Sequence, residues 1–264
     1  MPELPEVQTV INGLKTEVVG EKIREIVEHR EDTVQLHHKI SMEDYGTIKS
    51  IDRRGKYIIV NTTTCKLLIH LRMTGKLLLT KNLQKTTPHN RAEIVFDNKK
   101  LIFDDIRTFG SICIFNKKQK TGKIESLGLE PFSKEFNIKN LKSVFARRSA
   151  PIKNALLNQK IIAGLGNIYA CESLYKAGIS PLSPANSLTK AQLEKLTSAI
   201  KKVLETAIVQ GGTTISDYRN SSDKKGNFQK MLSVYKKEQC PQGHEVKKLK
   251  QAGRSTYYCP VCQK

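Results

Sequence analysis

The sequence predicts an α+β protein of more than one domain, and three observations carry that prediction. Apolar residues recur at helical spacing near the N-terminus, at Val7, Val10, Ile11, Leu14 and Val18. From about residue 21 to 130 the pattern changes to short alternating runs rich in Val, Ile, Thr and Leu. From about 134 it becomes helical, and it closes on a cluster of cysteines and a histidine after residue 232. At 264 residues and 38% hydrophobic the chain can bury real cores, and two domains are the natural prior.

The first stripe reads as one amphipathic helix over 6–18, ended by Gly20. Strand-like runs follow at Ile23–Val27, Thr47–Ile51, Tyr57–Asn61, Lys66–Leu71, Lys76–Thr80, Arg91–Phe96, Lys100–Phe103 and Ser111–Phe115. Arg54-Gly55 and Asp97-Asn98-Lys99-Lys100 are turn-like. Short strands at this spacing predict an antiparallel sandwich or barrel. Leu127–Ser133 carries Gly and Pro and reads as the exit into a linker. Helices are expected at Ile138–Arg147, at Pro151–Gln159 and at Asn167–Ala177, the last stopped by Gly178. Thr189-Lys190-Ala191-Gln192 is a capping box. It opens a long helix with Leu193, Leu196, Ile200, Val203, Leu204 and Ala207 on one face and Gly211 after its end. Residues 217–228 have no periodicity and read as a mobile polar loop, and 232–264 returns to strand-like alternation.

The net charge of +20, with a pI near 9.7, is too basic for an ordinary enzyme of small molecules. Lys and Arg displace counterions from phosphates, so a polyanion is the favoured partner. A membrane is not: there is no apolar run of spanning length and no signal peptide, so the expectation is a soluble, cytoplasmic protein. Cys65, Cys113 and Cys171 lie in apolar surroundings and read as reduced, buried small hydrophobes, with no disulfide framework.

Three constellations carry chemistry. The chain opens Met1-Pro2-Glu3-Leu4-Pro5-Glu6. With Met1 trimmed, Pro2 is a free secondary amine with a reference pKa near ~8, nucleophilic at neutral pH without burial. Such an amine can attack a sugar carbon and collapse to an iminium, with Glu3 beside it to move protons. The plainer reading is a helix start bracketed by two prolines. At the other end, Cys240-x3-His244 and Cys259-x2-Cys262 offer four soft ligands that can close a tetrahedral structural zinc site. Tyr257 and Tyr258 suit the second strand of a hairpin between the pairs. Lys247, Lys248, Lys250 and Arg254 put basic residues where such a hairpin reaches a nucleic-acid groove. Between these ends, Asn158–Tyr169 contains Gly164-Leu165-Gly166-Asn167 before a helix. That turn either grips a phosphate, with Asn167 and Lys153 as donors, or merely packs a helix hairpin. In the strand-rich part, Arg53-Arg54-Gly55-Lys56 sets three cations at a turn, and Met73 and Phe109 stand beside strand-ending glycines. They fill either a gap in a base stack or the protein core.

Together these residues resemble the bacterial formamidopyrimidine-DNA glycosylases along the whole chain. The landmarks are Pro2–Val7, Arg54–Tyr57, Leu127–Pro131, the Gln159 to Glu172 segment, Gly211–Thr214, Val234-Tyr235 and Gly253–Gln263. The resemblance implies an N-terminal helix plus antiparallel β-sandwich (1–133), a domain with a helix–two-turn–helix motif (134–230) and a C-terminal zinc β-hairpin (231–264). It implies a monomer that binds damaged double-stranded DNA between its domains, with one structural zinc ion. The base is flipped out. By the same resemblance Pro2 would be the nucleophile, Glu3 would assist at the sugar, and β- and δ-eliminations would cut the strand. Lys56 completes the catalytic set on the phosphates beside the lesion. His70, His89, Lys153, Asn167, Tyr235 and Arg254 belong to the DNA-binding set. Met73, Arg107 and Phe109 fill the void and face the orphan base, and the 217–227 loop covers the flipped purine. Glu6 reads as structural.

The family pattern is departed from in three places. Gly243 stands where a zinc cysteine belongs, with His244 next to replace it. Arg107-Thr108 replaces a basic pair, and the stretch Glu28–His38 is less basic than the family pattern. Two other readings stay open: an endonuclease VIII-type enzyme for oxidised pyrimidines, and a non-catalytic zinc-containing DNA-binding protein.

Overall fold

The computed structural model describes residues 1–37, 44–213 and 225–264. The chain divides into two compact units, Met1–Glu125 with Gln210–Asn227, and Ser126–Val209 with Phe228–Lys264. Residues 210–213 and 225–227 thus group with the N-terminal unit rather than with the helices that precede them in sequence.

In the first unit, α1 (Leu4–Val18) buries Val7, Val10, Ile11, Leu14 and Val18 against β3 (Ile48–Arg54) and β4 (Tyr57–Thr62). Two sheets make the sandwich. One is ordered β1-β7-β8-β6 from Glu25–Glu28, Asn90–Val95, Lys100–Asp104 and Lys76–Thr80. The other is ordered β2-β9-β5-β4-β3, with β2 at Val34–His37, β5 at Cys65–His70 and β9 at Ser111–Asn116. Ile51, Ile58, Leu67, Ile69 and Ile114 from one sheet share a core with Leu77, Ile94, Leu101 and Phe103 from the other and with the α1 stripe. Pairing is antiparallel except at one edge, where β2 runs parallel to β9. That edge is a short strand with no alternating apolar pattern, and it has no counterpart among the expected strands.

The second unit is helical with one hairpin. α2 (Ile138–Phe145) and α4 (Asn167–Ala177) pack on α5 (Lys190–Val209), and α3 (Ile152–Leu157) packs on α4. Both bonds of the expected capping box are made: Thr189 Oγ1 accepts from the Gln192 N–H at 3.2 Å, and Gln192 Oε1 accepts from the Thr189 N–H at 2.9 Å. α4 ends at Gly178 with φ 69°, a left-handed cap that a side chain would strain. The alternation expected over 232–264 resolves into turns up to Val246 and then one hairpin, β10 (Lys247–Gln251) with β11 (Arg254–Tyr258). Among the described residues no helix is long and apolar enough to cross a membrane.

Candidate nucleic-acid interface and metal centre

The helix start is organised by Glu6. Its Oε2 accepts the Glu3 N–H at 2.8 Å, and its Oε1 accepts the Thr213 N–H at 2.7 Å. One buried carboxylate thus fixes the backbone beside Pro2 and the chain just ahead of residues 214–224. Pro2 and Glu3 are buried, while Met1 is 40% exposed. Arg53 Nε donates to Gln8 Oε1 at 3.0 Å, tying α1 to the end of β3. The two-residue turn that follows, Gly55-Lys56, has Gly55 at φ 57°, a conformation that favours glycine at the first position of a tight hairpin. It leaves the Lys56 side chain largely buried.

His70 ends β5 directly across from Tyr57, whose ring meets it edge-on at 4.5 Å. Its Nδ1 accepts the Arg72 N–H at 2.9 Å, which assigns the proton of the neutral ring to Nε2 as a donor. Burial first, and then the cations of Arg72, Lys56 and Lys123, push its pKa down to about 3. A neutral donor inside a cationic setting suits a phosphate oxygen.

Beyond β5 and β8, two loops present Met73, 38% exposed, and Phe109, 56% exposed. The Arg107 guanidinium lies 5.1 Å from the Phe109 ring centroid. Phe109 is therefore not a core residue. Large apolar side chains held out beside a cation are what a base-stack wedge requires. His89 precedes β7, with its carbonyl accepting the Asp105 N–H at 3.0 Å.

In the second unit, Lys153 turns inward. Its ammonium donates to Asn167 Oδ1 at 2.7 Å, Thr256 Oγ1 at 2.7 Å and the Ser255 carbonyl at 3.3 Å. Asn167 Nδ2 donates to the same Ser255 carbonyl at 2.9 Å. Three acceptors use the three donors of a lysine, so Lys153 joins α3, the start of α4 and β11 from inside. Arg254, beside Ser255, is exposed. The Tyr235 ring packs edge-on against Tyr257 at 5.0 Å, and its N–H donates to Glu172 Oε1 at 2.8 Å. Glu172 also accepts from Ser233 and Val234, so a buried carboxylate shapes that whole turn. Gln159 does the same for the glycine turn, bonding the Leu157 and Leu165 carbonyls and the Gly164 N–H. Sequence reasoning missed the positioning done by Glu172, for which the one signal was an acid set among apolar residues.

The ligand atoms of Cys240, His244, Cys259 and Cys262 all lie within 4.8 Å of one another. Cys240 Sγ is 3.9 Å from Cys262 Sγ and 3.8 Å from His244 Nδ1. A tetrahedron with Zn–S near ~2.3 Å puts its sulfurs about 3.8 Å apart, so the donor set fits one zinc ion. Burial and the neighbouring Cys259 and Cys240 thiols push Cys262 up to about 11; three thiols cannot all ionise together without a cation. The first ligand pair is a turn in which the Gly243 N–H returns to the Cys240 carbonyl at 2.9 Å with Gly243 at φ 79°. In the second, Gln263 Oε1 accepts the Cys259 N–H at 2.8 Å. The hairpin between them turns at Ala252-Gly253, both at positive φ, as the tightest hairpins require.

Residues 1–112 match the family described as the formamidopyrimidine-DNA glycosylase N-terminal domain. Residues 127–219 match the formamidopyrimidine-DNA glycosylase H2TH domain, and 243–264 a zinc finger found in FPG and IleRS. The chain is 39% identical to the formamidopyrimidine-DNA glycosylase of Wolbachia sp. subsp. Drosophila simulans (strain wRi), with all of both chains covered. The chain belongs to the formamidopyrimidine-DNA glycosylase family. Another member, from Psychromonas ingrahamii, is 37% identical over the full length of both. Among solved structures, a Lactococcus lactis FPG mutant bound to Fapy-dG-containing DNA aligns with TM-score 0.91 at 35% identity, covering all of both chains. The MutM (FPG) protein from Thermus thermophilus aligns with TM-score 0.89 at 36% identity, covering 99% of this chain and 98% of that one. The family's α+β architecture and its zinc hairpin are both present here. Of the 217–227 loop, residues 217–224 lie outside the described residues, as do His38 and Thr214.

Proposed function

We propose that this protein is a base-excision-repair DNA glycosylase and lyase for oxidised purines. The exposed Met73–Arg107–Phe109 set carries the reading, because large apolar side chains beside a cation suit the gap that a flipped base leaves. The relatives' name and the Fapy-dG complex of the Lactococcus lactis protein support the substrate class. Removal of Met1 frees the Pro2 amine. Pro2 then attacks C1′ of the flipped nucleotide and the base departs; the C1′–O4′ bond opens, O4′ takes a proton that Glu3 can deliver, and the C1′ iminium remains, from which β- and δ-elimination release the two flanking phosphates. Lys56, His70, His89, Asn167, Tyr235 and Arg254 hold the phosphate backbone, with Lys153 fixing Asn167 and β11 from within. The zinc ion is structural and sets the hairpin that carries Arg254. The three segments 1–133, 134–230 and 231–264 act as catalytic, helix–two-turn–helix and zinc-hairpin domains.

Borohydride trapping on an 8-oxoguanine duplex tests this. A covalent adduct is expected, and it disappears in Pro2→Gly or when Met1 is retained. Trapping on thymine glycol with none on 8-oxoguanine would instead select the oxidised-pyrimidine reading, for which a Lactococcus lactis FPG complex with oxidised-pyrimidine DNA is the supporting observation.

A further inference from the structure

The wedge residues sit on separate loops, and one buried side chain links those loops. Asp105 is fully buried, in the loop between β8 and β9. Its Oδ1 accepts from the Thr74 hydroxyl at 2.5 Å and from the Arg107 N–H at 3.3 Å. Its Oδ2 accepts the Gly110 N–H at 2.8 Å. The Thr74 hydroxyl also accepts the Arg107 N–H at 3.1 Å, so the Met73 loop and the Arg107 loop share one small network. The Asp105 backbone extends it: its N–H donates to the His89 carbonyl, and its own carbonyl accepts from Arg91 Nε at 2.8 Å.

Two further features show that these loops are held rather than relaxed. Arg72 and Thr108, flanking the wedge residues, have φ of 51° and 60°. A β-branched residue adopts that conformation only where its surroundings impose it. Gly110 has no room for a side chain, since a Cβ there would lie 2.4 Å from Phe103 Cζ and 3.1 Å from Asp105 Oδ2. Its N–H can therefore approach the carboxylate closely.

We propose that Asp105 is a positioning residue that sets the wedge. It accepts hydrogen bonds on both oxygens, so that Met73, Arg107, Phe109 and His89 keep one mutual arrangement, and through them the enzyme senses the orphan base. An amide in its place has only one acceptor oxygen and turns an N–H against either the Gly110 N–H or the Arg107 N–H. The inference rests on the glycosylase reading above, and the test separates the two.

The test is borohydride trapping and single-turnover excision by the full-length zinc-loaded protein. The substrates are 8-oxoguanine duplexes with cytosine or adenine opposite, and a single-stranded oligonucleotide with one abasic site. A single strand has no orphan base and no void. Asp105→Asn is expected to lower kcat/KM on the duplex about tenfold more than trapping on the single strand. The ratio between the two opposite bases is expected to move toward one. Thr74→Val, which removes the bridging hydroxyl and keeps the carboxylate, should shift both ratios in the same direction. Equal losses on duplex and single strand, or an unchanged opposite-base ratio in a folded variant, overturn the positioning role. Absence of trapping by the wild-type protein on every substrate overturns the glycosylase reading itself, and this inference with it.

Discussion

His70 is buried among Lys56, Arg72 and Lys123, so protonating it in the folded protein adds a charge where burial and three cations oppose one. Unfolding returns it to an ordinary imidazole that titrates near 6.5. Between the two pKa values the unfolded chain binds the extra proton, so stability rises with pH across that window. The contribution is fully present above about pH 6.5 and is lost as pH falls toward about 3. Its ceiling is roughly 4–5 kcal/mol from the size of the shift, reduced by whatever the structure relaxes. Urea unfolding from pH 7 to 4 should show a fall in stability that His70→Gln flattens; parallel pH profiles would refute the assignment. The same residue shows what a sequence hides. His70 was expected at the DNA backbone, but its neutrality comes first from burial and then from the cations of Arg72, Lys56 and Lys123, and its Nε2 donor from the Arg72 N–H on Nδ1. Glu6 is similar: its bond to Glu3 follows from spacing within one helix turn, while its bond to Thr213 spans 207 positions and no periodicity announces it.

At the scale of elements, the apolar periodicity located almost every helix and strand, because each buries one face. α4 has the expected bounds, and the strands differ from expectation by a residue or three at their ends. The edge strand β2 escaped because its side chains are mostly half-buried, which leaves no alternation to read. The turns after Met231 escaped for a different reason: the Glu172 carboxylate and short local backbone bonds, such as Cys240 N–H to the His244 carbonyl, satisfy that backbone rather than an extended ladder. Glycines make the point quantitatively. Gly128 and Gly122 look alike in the sequence. A Cβ at Gly128 would lie 2.3 Å from the Ile161 carbonyl group, where the Leu129 segment pairs with the glycine turn. Gly122 has φ 69° and nothing within 4 Å of its Cβ. Gly128→Ala must therefore separate two backbones and should cost roughly 1–3 kcal/mol or more. Gly122→Ala meets only the left-handed backbone penalty, on the order of 1 kcal/mol. Thermal unfolding of both variants, with DNA binding followed in parallel, checks the order. Equal destabilisation would mean that the Leu129–Ile161 approach is not rigid.

For the whole molecule, a net charge of +20 favours a polyanion as partner but does not say which cations do the binding. The structure sorts them by the state of their donors. Arg254 is exposed on the zinc hairpin, whereas the Lys153 ammonium has its three donors placed on Asn167, Ser255 and Thr256. A cation that meets a phosphate releases a counterion, and each such contact adds about −0.9 to the slope of log K against log salt. Arg254→Ala should therefore weaken duplex binding and make the slope shallower by about 1, equally for lesion and undamaged DNA. Lys153→Met should act otherwise. It takes the lysine's bond from Asn167 Oδ1, the Ser255 carbonyl and the buried Thr256 hydroxyl and loosens the joint between α3, α4 and β11, so binding falls while the slope changes little. Titrations at several salt concentrations, with zinc content measured in each variant, separate the two behaviours. A Lys153→Met slope as shallow as that of Arg254→Ala would show that the lysine leaves its internal partners and meets a phosphate in the complex. Composition could never draw this distinction, since both residues count as one positive charge. It depends on whether folding has already supplied the cation with acceptors.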